Sequence, residues 1–519
     1  MTAKLRIRES RHPILYELDT RSWLERLSRR HGRRIQLGCV PSEDLAPILA
    51  TGADLVWLMG VWRTGAAGRQ RARALAWVND QARSILPDFS PGDVVGSPYA
   101  IAEYEVAPGL GGESGLATFR RQLAESGVGI VLDFVPNHTA TDHPWVRRHP
   151  DWYVQGSTEH VAADPSSWFS VRAGGHTVHI AHGRDPNFPA WQDTAQLDYR
   201  VPAVRAAMAD ALRQVASRCD GIRCDMAMLV LEDVFCATWE ERSVAPGAGD
   251  ISAGEFWWHA IGDLRDRYPE VTLLAEAYWG LEYRLQQLGF DYTYDKTLLD
   301  RLRLGSGKDV IAHLRADPGY QRRSVRFLEN HDEPRAAAAF PGPRARSAAV
   351  VAATSPGMLL LHDGQLDGAR IRTPIQLARR PEEVADSGVR EFYDRLLSAV
   401  GSDAIRRGSP HWLEPQPSWD GDSTRAGFMA WLWFGPRRSL RLAVVNLGPD
   451  TGRCFLFPGI PDFSGRSIVL EDLLSDTRYV RDGDDLLGRG LYLEMPPDGY
   501  HLFRILGHTP HRRDSQAFA

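Results

Sequence analysis

Eight short apolar runs, continuous rather than alternating, recur up to residue 364: ILYEL (14–18), ADLVWLM (53–59), GVGIVLDFV (127–135), GIRCDM (221–226), VTLLAEAY (271–278), FDYTYDK (290–296), SVRFLEN (324–330) and MLLLHDG (358–364). A strand that is apolar on both faces must be covered on both faces, as happens in parallel sheets flanked by helices. Segments between the runs supply such helices, for instance VRAAMADALRQVASR (204–218), whose apolar residues recur at helical spacing. Eight strands alternating with helices predict a (β/α)8 barrel, of class α/β.

Spacing sets the domain boundaries. Glu276 and Asp332 are about 56 residues apart, or roughly 28 for each of two strand–helix units of a barrel of ordinary size. From Asp133 to Asp225 the gap is far longer, and its extra residues, about 60, exceed any simple connection and predict an inserted domain. The expected division is barrel over 1–138 and 196–404, insertion over 139–195, and a C-terminal antiparallel β-sandwich over 405–508. There the pattern changes to short strands between turn signals, such as GFMAWLWF, LRLAVVNLGPD and LYLEMPPDG. The polar tail HTPHRRDSQAFA reads as a frayed end.

Composition narrows the function. With a net charge of −5 and no dense basic run, the chain is not built to follow a phosphate backbone, so nucleic acid is excluded as the main partner. MTAKLRIRESRHPILYEL lacks the apolar core of a signal peptide, and no uncharged apolar stretch is long enough for a membrane span. The expectation is a cytoplasmic protein with no membrane partner, acting on small polar substrates; oligomeric state is left open. The five cysteines are scattered without CxxC pairing and read as free thiols.

Barrel active sites lie at the C-terminal ends of the strands. Three of those ends carry carboxylates: Asp225, Glu276 and Asp332. Arg223 lies two residues before Asp225 and shares its face of the strand, and a guanidinium beside a carboxylate favours the ionised form a nucleophile needs. Glu276 sits in LLAEAYW, where apolar neighbours raise its pKa and keep it a proton donor. Two carboxyls in opposite protonation states are the basis of glycoside hydrolysis. His138, closing LDFVPNH, and His331, in ENHDEPR, add imidazoles able to hydrogen-bond sugar hydroxyls. Any one of these residues alone would more often be a structural group; their grouping at successive strand ends points to a site.

The segments LDFVPNH (132–138), QLDYR (196–200), GIRCDMAML (221–229), LLAEAYWG (273–280) and RFLENHDEPR (326–335), in that order, resemble the α-amylase family of retaining glycoside hydrolases. The resemblance implies Asp225 as nucleophile, Glu276 as acid/base and Asp332 as the carboxylate that stabilises the transition state. It implies Arg223, His138, His331 and Tyr99 as sugar-binding residues, Tyr99 as the stacking platform, with Trp62 as a further candidate just past the second strand. No cofactor is required by this comparison; Asn137 occupies a segment that binds calcium in many amylases.

Many starch-cleaving members follow the nucleophile with a small residue and Lys-His, whereas this chain has Met226, Ala227, Met228 and Leu229. Apolar side chains cannot supply the same hydrogen bonds on the leaving-group side. NHTATDHPWV (137–146) and the QxD of QLDYR instead resemble the α-glucosidase and oligoglucosidase branch, which implies an oligosaccharide or small α-glucoside as substrate. Transglycosylation or isomerisation through the same intermediate, endo-acting cleavage and a catalytically silent binding protein remain as alternatives. HGRDPNFPAW (182–191) suits either an acceptor site or a plain structural loop.

Overall fold

Each of the eight runs forms one parallel strand, and together they close into a barrel. The strands are β1 (Ile14–Asp19), β2 (Leu55–Met59), β3 (Gly129–Phe134), β4 (Gly221–Cys224), β5 (Thr272–Ala275), β6 (Tyr292–Tyr294), β7 (Ser324–Arg326) and β8 (Met358–His362). Neighbours follow chain order, and β1 closes onto β8 with Ile14 opposite Leu359. Helices on the outside bury one side of each strand and barrel side chains fill the other, so β2, β3, β4, β5 and β8 are buried along their whole length. This computed structural model describes residues 10–244, 255–340 and 342–508, and the polar tail beyond His508 lies outside the described residues.

Two excursions leave the barrel at the mouth. Between β3 and the helix Pro202–Ala216, a ribbon pairs His138–Ala140 with Thr194–Gln196, and a three-stranded antiparallel sheet holds Gln155–Gly156, His176–Ala181 and Trp168–Ala173. The second excursion follows β2 and was not anticipated from the sequence. It pairs Trp62–Thr64 with Ile101–Val106 and carries the helices Ala66–Ala74 and Ala76–Ile85 before the chain returns through the helix Gly112–Glu125.

The C-terminal part is antiparallel, as expected. A six-stranded sheet runs in the order Ser409–Trp412, Phe428–Phe434, Leu440–Asn446, Tyr500–His508, Ser467–Asp472 and Arg478–Asp482, beside the pair Gly452–Leu456 and Leu491–Met495. Strand Phe428–Phe434 shows why this sheet also docks on the barrel. Its alternate residues Phe428, Ala430 and Leu432 enter the sandwich core, while Met429, Trp431 and Trp433 join the barrel core. Trp433 is buried and donates its indole N–H to the carbonyl of Thr354 at the end of the helix Arg344–Thr354 (3.0 Å).

Trp433 therefore seals the junction. Trp433→Ala is expected to cost about 3–5 kcal/mol in urea unfolding, the range for emptying a buried tryptophan site. A loss below about 1 kcal/mol, within the range of ordinary surface changes, would show that the junction contributes little.

Candidate active site

Register places the first two carboxylates side by side. Arg223 on β4 stands opposite Asp133 on β3 and Leu274 on β5, and Cys224 stands opposite Phe134 and Ala275. One step beyond the strand ends, Asp225 N–H donates to the Phe134 carbonyl (2.8 Å) and Glu276 N–H to the Cys224 carbonyl (3.0 Å). Asp225 and Glu276 thus leave adjacent strands at the same level.

Beneath them lies Arg223, 0% exposed. Its Nη1 donates to Asp225 Oδ1 (2.5 Å), its Nη2 lies 2.7 Å from Glu276 Oε2, and Asp133 is 3.8 Å away. The guanidinium carbon sits 5.1 Å from the Trp57 ring centre, 5.2 Å from that of Tyr99 and 5.8 Å from that of Tyr294, a cage that shields the cation while its ring faces attract it.

Burial pushes the Glu276 carboxyl up to about 7 against the pull of Arg223, with Asp225 and Asp332 adding to the rise. Burial also raises the Asp225 carboxyl, and Arg223 only partly offsets it. The guanidinium therefore opposes the cost of dehydration without removing it. Glu276 also receives the Tyr278 hydroxyl at Oε1 (2.7 Å) and the Met226 N–H at Oε2 (2.8 Å). Met226 reaches that position in a left-handed conformation (φ 41°, ψ 47°), a costly one for a bulky residue.

Asp332 lines the same cavity, its side chain 40% exposed, with Oδ2 2.9 Å from His331 Nε2. His331 Nε2 is also 2.8 Å from the Tyr99 hydroxyl, and its Nδ1 is 2.5 Å from Glu17 Oε1. Burial works against a charge on His331, but Asp332 and Glu17 outweigh it and hold the imidazole protonated well above its ordinary range. Burial would raise Asp332 in turn, yet the imidazolium beside it keeps the carboxyl well below the usual range. His138 has no such partners. Burial pushes it down to about 3, so it faces the site as a neutral ring.

Asp225, Glu276, Asp332, Tyr99 and His138 line one cavity of about 870 Å³. Met226, Tyr278 and Trp279 form part of its wall, and Phe188 and Trp191 of the HGRDPNFPAW segment reach it from the insertion. Phe188 is 63% exposed and Trp279 43%, so both offer aromatic surface to whatever enters.

One expectation needs correction. Trp62 is 0% exposed and donates its indole N–H to the Asp133 carbonyl (2.7 Å), so it braces β3 and has no surface for a sugar. Arg223, also without exposed surface, meets the carboxylates of Asp225 and Glu276 from below. Asn137, the calcium candidate, is engaged by a neighbouring amide. Its Oδ1 accepts from Gln196 Nε2 (2.9 Å), its Nδ2 donates to Gln196 Oε1 (3.1 Å), and no group of three His, Cys, Asp or Glu able to hold a metal exists among the described residues. The QLDYR glutamine thus latches the end of the insertion to the loop after β3.

Sequence reasoning missed Glu17, Tyr278 and the cage rings Trp57 and Tyr294. Glu17 carried a visible signal, a lone charge inside the apolar run ILYEL. Tyr278 lies two residues past Glu276, on the same segment.

The model of the α-amylase catalytic domain matches residues 90–436. The chain is 27% identical over 329 residues to the α-amylase MalA of Haloarcula japonica, covering 61% of this chain and 43% of that protein. It is 26% identical over 463 residues to an α-1,4-glucan:maltose-1-phosphate maltosyltransferase of Rhodospirillum rubrum, covering 84% and 58%. The chain spans about half the length of the curated relatives it matches. Among solved structures, a maltogenic α-amylase, AmyB, of Thermotoga neapolitana superposes with a TM-score of 0.66 at 20% identity over 96% of this chain and 99% of that one. A cyclic α-maltosyl-(1→6)-maltose hydrolase of Arthrobacter globiformis gives 0.60 at 15% identity over 98% and 100%. At these identities the superpositions speak for the fold alone.

The Tyr278 hydroxyl stabilises the ionised form of Glu276. Tyr278→Phe is therefore expected to raise the Glu276 pKa, by about one unit given the usual strength of a hydrogen bond to a charged group, and to move the alkaline limb of kcat/KM upward with it. A limb that stays in place or moves to lower pH would remove Tyr278 from this role.

Proposed function

The chain belongs to the α-amylase family, and on that premise we propose that it is a retaining α-glucoside hydrolase acting on short α-glucosides through a covalent glycosyl–enzyme intermediate. The observation that carries the reading is the contact of one buried guanidinium, Arg223, with both Asp225 (2.5 Å) and Glu276 (2.7 Å) at neighbouring strand ends. Asp225 attacks the anomeric carbon while Glu276 gives its proton to the glycosidic oxygen, and the leaving sugar departs. Glu276, now ionised, takes a proton from water, which attacks from the face the leaving sugar vacated, opposite Asp225, and restores the starting state. Asp332, kept ionised by His331, stabilises positive charge developing on the sugar ring, and Tyr99 and His138 hold that ring.

Short substrates are favoured by the cavity walls. Met226 stands where a polar contact would hold a longer chain, and the insertion brings Phe188 and Trp191 against one side. Binding energy from remote sugars is what orients the bond in a long-chain enzyme, and apolar walls on the leaving-group side supply fewer of the polar contacts it needs. A second reading, transfer to another sugar, is favoured by the exposed faces of Phe188 and Trp279, on which an acceptor could stack in place of water.

Time-resolved NMR of the first product is expected to show the α anomer, and initial release of the β anomer would overturn Asp225 as nucleophile. On a panel of substrates, kcat/KM is expected to be higher for a di- or trisaccharide or an aryl α-glucoside than for soluble starch per chain end. Mixed long oligosaccharides released from starch, with little action on disaccharides, would instead support an endo-acting enzyme. Transfer products that grow with substrate concentration would favour the second reading over hydrolysis.

A further inference from the structure

We propose that Glu17 is a positioning residue of the catalytic machinery, its buried carboxylate holding the Nδ1 side of His331 so that the Nε2 proton is always presented to Asp332. The inference rests on the reading of Asp332 as the carboxylate that stabilises the transition state. Glu17 lies on β1, at 0% exposure, in a run that is otherwise apolar except at its end. A carboxylate in such a place is costly unless it is paired, and stability alone offers little reason to keep it. Its Oε1 lies 2.5 Å from His331 Nδ1 and accepts the His331 backbone N–H at 3.4 Å, so both the ring and the chain at the end of β7 are tied to β1. On the other side of the ring, Nε2 meets Asp332 Oδ2 at 2.9 Å and the Tyr99 hydroxyl at 2.8 Å. The line Glu17–His331–Asp332 therefore alternates in charge from the barrel interior to the cavity wall.

Charge, rather than shape, is what Glu17 transmits. With a carboxylate on Nδ1 the ring keeps both protons, and Nε2 donates to Asp332. If Glu17 were neutral, a neutral imidazole could keep its one proton on Nδ1 and turn a lone pair toward the Asp332 carboxylate, which would then be repelled from its place. The other charged and titratable groups around the pair cannot stand in for it. Arg223 bears on Glu17 as a cation and Tyr294 as a phenol, and His362 lies within electrostatic reach of it. Asp19, Asp133 and Asp225 act on His331 only through space, and among the described residues Glu17 is the group in contact with Nδ1.

The test uses the intact protein and α-glucosyl fluoride, whose leaving group departs as fluoride and needs no proton from Glu276. In the wild type kcat/KM on this substrate is expected to stay level from neutral into alkaline pH. In Glu17→Gln, which keeps the shape and removes the charge, a new alkaline limb is expected above the ordinary histidine value of about 6.5, falling about tenfold per pH unit, with activity recovered on acidification. Glu17→Asp, which keeps the charge, is expected to lose amplitude but to retain the level profile. Nitrogen NMR of the intact protein labelled at histidine, with the His331 signals assigned by their loss in His331→Gln, is expected to show the wild-type ring protonated through pH 8 and the Glu17→Gln ring losing its proton in that interval. A Glu17→Gln profile parallel to the wild type, a Glu17→Asp profile with the same new limb, or a wild-type His331 that titrates near 6.5 would each overturn the proposal. Should Glu17→Gln fail to fold, the Glu17→Asp profile and the wild-type titration still decide. A wild type inactive on the fluoride would sink the glucosidase reading, while the NMR titration would continue to test the Glu17–His331 link by itself.

Discussion

A fully buried guanidinium is the constraint around which this barrel mouth is organised. An arginine with no exposed surface survives only if carboxylates meet it, and removing a partner from such a pair costs about 3–5 kcal/mol. Arg223 meets Asp225 and Glu276 directly and has Asp133 within 3.8 Å, while three aromatic rings close the rest of its surroundings. The register of β3, β4 and β5 is what makes this possible. A slip of one residue on β4 would turn Arg223 out of the barrel and break the level alignment of Asp225 with Glu276.

Charge balance then dictates where protons go. Five carboxyls, those of Glu17, Asp133, Asp225, Glu276 and Asp332, crowd around two cations, Arg223 and His331. Where burial outweighs the pull of the cations, the surplus negative charge is relieved by keeping protons on carboxyls. Asp133 and Glu276 are both pushed up to about 7, whereas Glu17 and Asp332, which flank the imidazolium, are lowered. The proton available for a leaving group is thus a consequence of the whole cluster, and the lowered Asp332 is its counterpart. His138 and His331 make the same point, since two imidazoles at one cavity differ in charge only because two carboxylates contact one of them.

Residues at strand ends were legible in the sequence because the barrel rule assigns them a place without knowledge of any partner. Asp225, Glu276, Asp332 and the eight strands are of that kind. What was not legible depended on contacts between distant segments. Glu17 was visible as a charge in an apolar run, but its partner lies 314 residues away. Trp62 was read as a sugar-binding candidate because sequence spacing does not say which side of a short strand faces the cavity; the indole turned inward to the Asp133 carbonyl. The excursion after β2 went unnoticed because its helices, among them the arginine-rich Ala66–Ala74, look like ordinary outer helices of a barrel. The QLDYR glutamine carried a family pattern, yet its partnership with Asn137 is a matter of how the insertion returns to the barrel.

The residues that follow the two central carboxylates show a further cost of the arrangement. Met226 and Trp279 both adopt positive φ, 41° and 64°, in a chain with few other bulky residues of that kind among those described. Each strained position does something a relaxed one would not. The turn at Met226 aims its N–H at Glu276 Oε2, and the turn at Trp279 leads the chain off β5 with its indole at the cavity wall. Strain of this kind, of order 1–3 kcal/mol per residue, persists only where surrounding contacts overdetermine the backbone. At Met226 those contacts are on hand: Ala227 N–H is bound to the Glu276 carbonyl, and the Ala227 carbonyl is bound by the buried indole of Trp257. The apolar sequence after the nucleophile is therefore a packing solution as much as a change in substrate contact. A strained turn needs a well-filled anchor behind it, and Ala227, Met228 and Leu229, all buried, provide one where a Lys-His pair would bring a charge.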